Sequence, residues 1–244
     1  GFAEGITGPR LAALLRKHLA RAGVEPVQEA VESLEYDGAA FHFRTAAGEH
    51  TGRIAVLATG TRPREVSFPG LDAALGVRAF YEVHPLLPLG GKRVSIVGAG
   101  DAAFDYALNL ARRGNRVTIH NRGGRRSCLP LLWERAAANE DIEYREDSTL
   151  LNIETGGECL SLSWRDEERD VRESCDYLLL ATGREANLGF LSGSMRPRVR
   201  DLQAAGLLHL IGDVQNGPFR QAAIAAGDGI RAAMMVSRKL DESK

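Results

Sequence analysis

The sequence predicts an α/β protein made of two Rossmann-like, three-layer domains, each carrying a small antiparallel β-meander. Three observations carry this reading. An apolar run, Arg93-Val-Ser-Ile-Val97, ends in closely spaced glycines, Gly98-Ala-Gly100, and opens into a helical pattern. Short alternating segments separated by glycine-containing turns occur twice, over residues 24–60 and 147–183. Each set feeds a buried strand ending in Ala-Thr-Gly, and the two tripeptides lie 123 residues apart. Internal repetition on that scale is hard to reach by accident and implies two homologous domains.

Taken in order, the chain first shows Pro9 opening a helical pattern in which Leu11, Leu14, Leu15 and Leu19 share a face, with Gly23 as the stop. Beyond Val24 the period falls to two. Segments 31–36 and 39–45, separated by Asp37-Gly38 and followed by Ala47-Gly48, read as a meander. They lead to a buried strand over 53–60 that ends at Thr59-Gly60, and then to a loop or linker marked by Thr61-Arg62-Pro63-Arg64 and Pro69-Gly70.

The strand at 93–97 and the helix at 102–113, stopped by Gly114, have the order of a phosphate-binding turn. Gly98 permits the tight turn, Gly100 lets backbone approach a pyrophosphate, and Ala103 lets the helix pack close on the strand. The helix N-terminus at Asp101 and Ala102 then faces the anion. Alone, this pattern equally fits an ordinary βα turn. A second strand, 116–120, precedes Asn121-Arg122-Gly123-Gly124-Arg125-Arg126. About 20 residues past the glycines an NAD site usually carries an acid for the ribose 2′-hydroxyl. Here that place holds His120, Asn121 and Arg122, with Arg125 and Arg126 behind them. Cations without a carboxylate suit a 2′-phosphate and favour NADPH over NADH, the alternative being a solvated basic loop.

A helix near 129–138 leads to the second meander, 149–154, 159–164 and 169–175, with turns at Gly156-Gly157 and Asp166-Glu167. Its strand, 176–183, ends at Thr182-Gly183. A last strand, 207–213, ends in Gly212-Asp213, and a helix is expected from about 220 to 240. Asp213 stands at the carboxyl end of a parallel strand, where ligands bind in open α/β sheets.

Charge and composition narrow the function classes. A formal charge of −1 with 44% hydrophobic residues argues against a nucleic-acid partner. No apolar run approaches the roughly 20 residues needed to span a bilayer, and no signal segment opens the chain, so no membrane partner and a cytoplasmic location are expected. Cys128, Cys159 and Cys175 form neither a CxxC nor a metal-ligand spacing, so neither a disulfide framework nor a metal site is expected. The chain opens on Gly1-Phe2 without Met and is expected to start partway through a domain.

At this point the residues resemble the low-molecular-weight thioredoxin reductases and the ferredoxin-NADP reductases of thioredoxin-reductase type, over almost the whole chain. Gly5-Ile-Thr-Gly8, both Ala-Thr-Gly motifs, the GxGxxA turn, and Gly212-Asp213-Val214 followed by Arg220-Gln221-Ala222 come in the family's order. The resemblance implies a discontinuous, N-terminally incomplete FAD domain (1–76 and 188–244) around an NADPH domain (77–187). It implies hydride transfer from nicotinamide to FAD, an onward acceptor such as a ferredoxin, a flavodoxin or a small molecule, and a homodimer. Residue by residue, Gly98, Gly100 and Ala103 would form the NADPH pyrophosphate turn. His120, Arg122 and Arg126 would match the family's His-Arg-Arg-x-x-x-Arg pattern for the 2′-phosphate, with Asn121 replacing one Arg. Thr59 and Gly60 would lie beside FAD, Asp213 would bind its ribityl or pyrophosphate region, and Arg220, Gln221 and Ala222 would approach the flavin ring.

Two departures bear on function. The segment 79–88, where the family's redox CxxC falls, contains no cysteine, so thioredoxin reduction by a dithiol is not expected; His84 there reads as a loop residue. In the family about 50 residues precede the equivalent of Gly5 and hold a first strand, a GxGxxG turn for the FAD pyrophosphate and an acidic residue for the adenosine ribose, none of which this sequence carries. Either it is a fragment, or another chain supplies the part, or FAD is not bound; Gly60, Asp213 and Arg220-Gln221-Ala222 favour the first. Hydride transfer between cofactors needs no protein acid, base or nucleophile, so no catalytic residue is assigned. The alternatives are a flavin-free NADP(H)-binding module or partner subunit, and a purely structural α/β domain.

Overall fold

In the computed structural model, residues 5–166 and 169–242 are described. Gly1 and Phe2, and the Glu167 half of the expected Asp166-Glu167 turn, lie outside them. The chain forms two compact units, Gly1–Ala58 with Leu188–Lys244, and Thr59–Asn187.

Pro9 at the first turn, where its missing N–H costs nothing, starts α1 (Gly8–Arg21). The first meander is β1 (Val31–Tyr36), β2 (Phe41–Thr45) and β3 (Gly48–Gly52), antiparallel in that order. Its first turn is set by Asp37, whose Oδ1 accepts from the Ala39 and Ala40 N–H groups at 2.7 and 2.8 Å. The chain continues through β4 (Ala55–Leu57), β5 (Thr61–Pro63), α2 (Leu71–Ala74) and β6 (Ala79–Phe80). Next come β7 (Arg93–Val97), α3 (Asp101–Ala111), β8 (Arg116–His120), α4 (Pro130–Ala137) and β9 (Ile142–Arg145). The second meander is β10 (Ser148–Glu154), β11 (Leu160–Asp166) and β12 (Arg169–Cys175), followed by β13 (Tyr177–Leu180) and β14 (Arg184–Ala186). The tail contributes α5 (Val199–Ala204), β15 (Leu208–Leu210) and α6 (Ala222–Asp241).

The central unit is a three-layer sandwich around a parallel sheet of order β6-β13-β7-β8-β9. Alternation along β13 separates its two cores. Leu179 joins Ile96, Phe104, Leu110 and Ile119 under α3 and α4, whereas Leu178 and Leu180 join Leu160, Leu162 and Trp164 of the second meander. In the other unit, Leu34, Phe41, Leu57 and Leu208 form a smaller core beside the parallel pair β4–β15. There α1 buries none of its residues and α6 buries Ala232 alone. Leu15, Val56 and Met234 are 54%, 43% and 69% exposed. Among the described residues no helix is long and apolar enough to cross a membrane.

Four features depart from the expected elements. The strands expected at 53–60 and 207–213 shorten to three residues each, because hydrogen bonding is confined to the β4–β15 pair. Residues 61–63, expected as loop, pair with 184–186. The edge strands β6 and β9 are too short to show a period. Residues 59–76, expected with the first segment, pack in the central unit: Leu71 and Ala74 enter the meander core, and the Ile153 N–H donates to the Pro69 carbonyl at 2.9 Å.

The first meander also carries an exposed charge cluster. His42 lies between Asp37 Oδ2 and Glu49 Oε1, each 3.0 Å away. Hydrogen bonds to Glu49 and then Asp37 raise the His42 pKa, and the two carboxyls are lowered, Asp37 by backbone N–H donors first and Glu49 by His42 first. Because the folded His42 pKa is raised, its stabilising effect is complete below about pH 6.5, the unfolded value, and is lost as pH rises through the folded one. Titration of His42 by NMR should give a midpoint above 6.5 that moves down in Glu49→Gln; an unshifted midpoint refutes the pairing.

Candidate functional site

The strand order of the parallel sheet reverses at β7: β8 and β9 extend to one side, β13 and β6 to the other. Ligands bind open α/β sheets at such a switch point, outside the carboxyl ends of the strands. Gly98 stands there. Its φ is +124°, and a Cβ on it would overlap the carbonyl oxygen of Ala181 at the end of β13. Its N–H donates to the His120 carbonyl at 2.9 Å, tying the turn to the end of β8. Ala103 is fully buried, which lets α3 sit close on the sheet. The Ala103 and Phe104 N–H groups return to the Gly100 carbonyl, and no side chain caps α3. The exposed Asp101 and Ala102 therefore present first-turn N–H groups at the positive end of the helix. Asp101 is a brace here: its Oδ1 accepts from the Leu129 N–H at 2.7 Å. Together with the Ser127 N–H bond to the Ala99 carbonyl at 3.0 Å, it lays the loop after β8 along the glycine turn.

Loop 121–126 has an internal frame. Asn121 is 8% exposed, and its Nδ2 donates to the Arg125 carbonyl at 3.2 Å and to the Tyr144 hydroxyl at 2.9 Å. The residue that breaks the expected basic pattern therefore shapes the loop. Arg122 is exposed; Arg126 lies 3.9 Å above the Trp133 ring, with Glu146 3.8 Å away.

His120 does not join these cations. It is fully buried, stacked on Trp164 with ring centroids 3.5 Å apart and planes 5° from parallel, and its Nδ1 is 2.9 Å from Ser148 Oγ. Burial, reinforced by the Arg145 charge, pushes its pKa down to about 3, so the ring is neutral. Nε2 has no partner among the described residues. As folded, the ring offers neither charge nor access to a phosphate.

The two Ala-Thr-Gly motifs meet in one ribbon. β5 and β14 pair antiparallel, Thr61 with Ala186, Arg62 with Glu185 and Pro63 with Arg184, so each repeat contributes the strand that follows its own motif. Thr59 Oγ1 donates to the Asn187 carbonyl at 2.8 Å and the Asn187 N–H to the Gly60 carbonyl at 3.0 Å, closing one end. At the other end Thr182 Oγ1 donates to the Arg64 carbonyl at 3.3 Å and the Arg64 N–H to the Gly183 carbonyl at 2.9 Å. Arg184 anchors the ribbon by bonding Thr61 and Glu82; Glu82 also accepts from Tyr106, whose pKa is pushed up to about 12 by burial and then by Glu82.

A sequence profile of the pyridine nucleotide-disulphide oxidoreductases matches residues 8–203. The chain belongs to that family. Within it the chain is 28% identical over 257 residues to the thioredoxin reductase of Treponema pallidum, spanning 99% of this chain and 82% of that protein. It is 26% identical over 269 residues to the thioredoxin reductase of Yarrowia lipolytica, spanning 100% and 82%. Its fold is that of solved thioredoxin reductases from Lactococcus lactis and T. acidophilum. Their TM-scores are 0.84 and 0.81, at 24% and 20% identity over 97% and 96% of this chain and 82% and 81% of theirs. It is thus a thioredoxin-reductase-like pyridine nucleotide-disulphide oxidoreductase, of a class that uses NAD(P)H and FAD.

The family's second candidate group lies in the tail. Gly212 (φ +69°) follows β15, and its N–H donates to Asp228 Oδ2 of α6 at 3.1 Å. The same oxygen accepts from Asn216 Nδ2 at 2.6 Å, so Asp228 holds this turn. Asp213 is half-buried, and its carboxylate makes no hydrogen bond or ion pair among the described residues. Arg220 is half-buried, whereas Gln221 and Ala222 are exposed at the start of α6. His84 is exposed in a short 3-10 turn. The three cysteines are free, and burial pushes the Cys175 thiol up to about 11. Among the described residues no group of acidic, His and Cys side chains could hold a metal. Sequence reasoning missed Trp133, Tyr144, Glu146 and Ser127, which reach the site from α4, the end of β9 and the far side of the loop; no spacing signals such approaches.

Proposed function

We propose that this chain is an NADPH-dependent flavin oxidoreductase whose central unit holds the dinucleotide between the Gly98 turn and loop 121–126. The observation that carries the reading is Gly98 itself, a positive-φ glycine at the sheet's switch point with no room for a side chain. The Asp101 and Ala102 N–H groups at the head of α3 bind the pyrophosphate, Gly100 allows its approach, and Arg122, with Arg126, receives the 2′-phosphate. Asn121, Tyr144 and Asp101 hold the two walls in register. Thr182 and Gly183 border the same sheet end. Gly212, Asp213, Arg220, Gln221 and Ala222 would contact FAD; the positive-φ Gly212 turn and the uncommitted Asp213 carboxylate at a strand's carboxyl end suit a cofactor hydroxyl.

When bound, NADPH supplies a hydride and FAD accepts it. The chain's own residues bind and orient, and none serves as acid or base in that step. Residues 79–88, where by resemblance the family's CxxC would fall, carry no cysteine, and this reading assigns no redox dithiol. The onward acceptor is then a ferredoxin, a flavodoxin or a small molecule, and by resemblance the protein works as a homodimer.

Arg122→Ala should raise the NADPH Kd at least about tenfold, the loss of one charge-assisted hydrogen bond, while leaving NADH nearly unchanged. Equal affinity of the parent chain for the two nucleotides refutes the 2′-phosphate assignment. The purified protein should also show a flavin absorbance that NADPH bleaches. A colourless chain that binds NADPH would instead be a binding module.

A further inference from the structure

Arg126 already faces an anion of this protein. Its guanidinium lies on Trp133 at 3.9 Å, 6.0 Å from the Tyr144 ring, and its Nη1 is 3.8 Å from Glu146 Oε1. The other Glu146 oxygen reaches the same loop, 4.0 Å from where a Cβ on Gly124 would stand. Glu146 therefore lies within the arc that Asn121 braces, one residue after β9 ends. By contrast, Arg122 and Arg125 form no ion pair among the described residues.

We propose that Glu146 is a specificity-determining residue of the nucleotide site: its carboxylate competes with a 2′-phosphate for Arg126 and so limits the preference for NADPH over NADH. This rests on reading loop 121–126 as the 2′-phosphate site. The charge argument is direct. A phosphate monoester carries roughly −1.5 to −2 at pH 7. Bringing it to Arg126 either displaces Glu146 from the guanidinium or leaves two anions sharing one cation. Arg126 and Glu146 are 39% and 45% exposed, so their pairing is weak and a dianion outcompetes it. The 2′-hydroxyl of NADH carries no charge and does not enter the competition. Glu146 thus reduces affinity for the phosphorylated nucleotide alone.

The test is Glu146→Gln in the full chain, with NADPH and NADH affinities read by calorimetry and by tryptophan fluorescence, to which Trp133 beneath Arg126 contributes. The NADPH Kd should fall about three- to tenfold, the NADH Kd should stay unchanged, and the gain should disappear in an Arg126→Ala background. An unchanged or raised NADPH Kd, or equal tightening of both nucleotides, overturns the proposal. If Arg122→Ala weakens NADPH selectively but Glu146→Gln brings no gain, the role of Glu146 alone is wrong. If Arg122→Ala is silent and both nucleotides bind equally, the 2′-phosphate site itself is wrong and this proposal falls with it.

Discussion

Gly98→Ala is expected to destabilise the central unit by about 2–6 kcal/mol and to abolish NADPH binding. The cost has two sources. An alanine held at φ +124° bears backbone strain of about 1–3 kcal/mol. Its methyl group would also overlap the Ala181 carbonyl, and forcing extra volume into packed backbone costs about 1–3 kcal/mol more. The strand cannot move aside cheaply, because β13 pairs with β7 through residues 177–180 and the Ala181 N–H bonds the Val97 carbonyl at 2.8 Å. Gly70→Ala is the control. Gly70 also has positive φ, +81°, and its added methyl would overlap the Ile153 carbonyl, but it lies under the meander. Both variants should lose stability in urea unfolding; at low temperature, where both remain folded, Gly70→Ala should bind NADPH normally and Gly98→Ala should not. Wild-type NADPH affinity in Gly98→Ala would remove the central claim about this turn.

The second large effect is a pH dependence set by His120. Its folded pKa, near 3, lies below the unfolded value near 6.5. Above pH 6.5 both states are neutral there, and the burial is tolerated in full. Between 6.5 and 3 the unfolded chain takes up a proton that the folded chain refuses, so stability falls by about 1.4 kcal/mol per pH unit on acidification. From pH 6.5 to 5 that amounts to about 2 kcal/mol. His120→Phe keeps an aromatic ring against Trp164 and removes the proton site, so its stability should depend less on pH by that amount. Urea unfolding at pH 7 and pH 5 measures the difference; equal slopes would show that His120 titrates normally. The same variant decides the role of the ring in nucleotide binding. NADPH affinity should survive His120→Phe, whereas a selective loss of NADPH over NADH would make His120 a direct phosphate ligand.

Where residues act through their neighbours in sequence, the chain could be read directly. The glycine turn, the helix after it and the two meanders depend on local backbone conformation and on alternation, both visible in the residue order. The repeat in the Ala-Thr-Gly strands pointed to two related halves. It did not show that Thr61–Pro63 and Arg184–Ala186 pair with each other, because three-residue strands carry no period and the partner lies more than 120 residues away. Asn121 looked like a defect in a basic pattern. In the folded chain it bonds the Arg125 carbonyl and the Tyr144 hydroxyl, a role that depends on where β9 ends.

By itself, then, the sequence determined the layer architecture, the place of the glycine turn ahead of α3 and the cationic character of the loop after β8. These follow from backbone preference, periodicity and charge, which are properties of short stretches. Only the tertiary structure decided which way the side chains of that loop face. His120 turns inward because Trp164 and Ser148, from another layer, offer a flat apolar surface and a hydrogen bond there. Arg126 lies down on Trp133 beside Glu146 because α4 and the turn after β9 bring a ring and a carboxylate to it. Orientation at a strand end is set by what packs against it, and those partners come from elements distant in the chain.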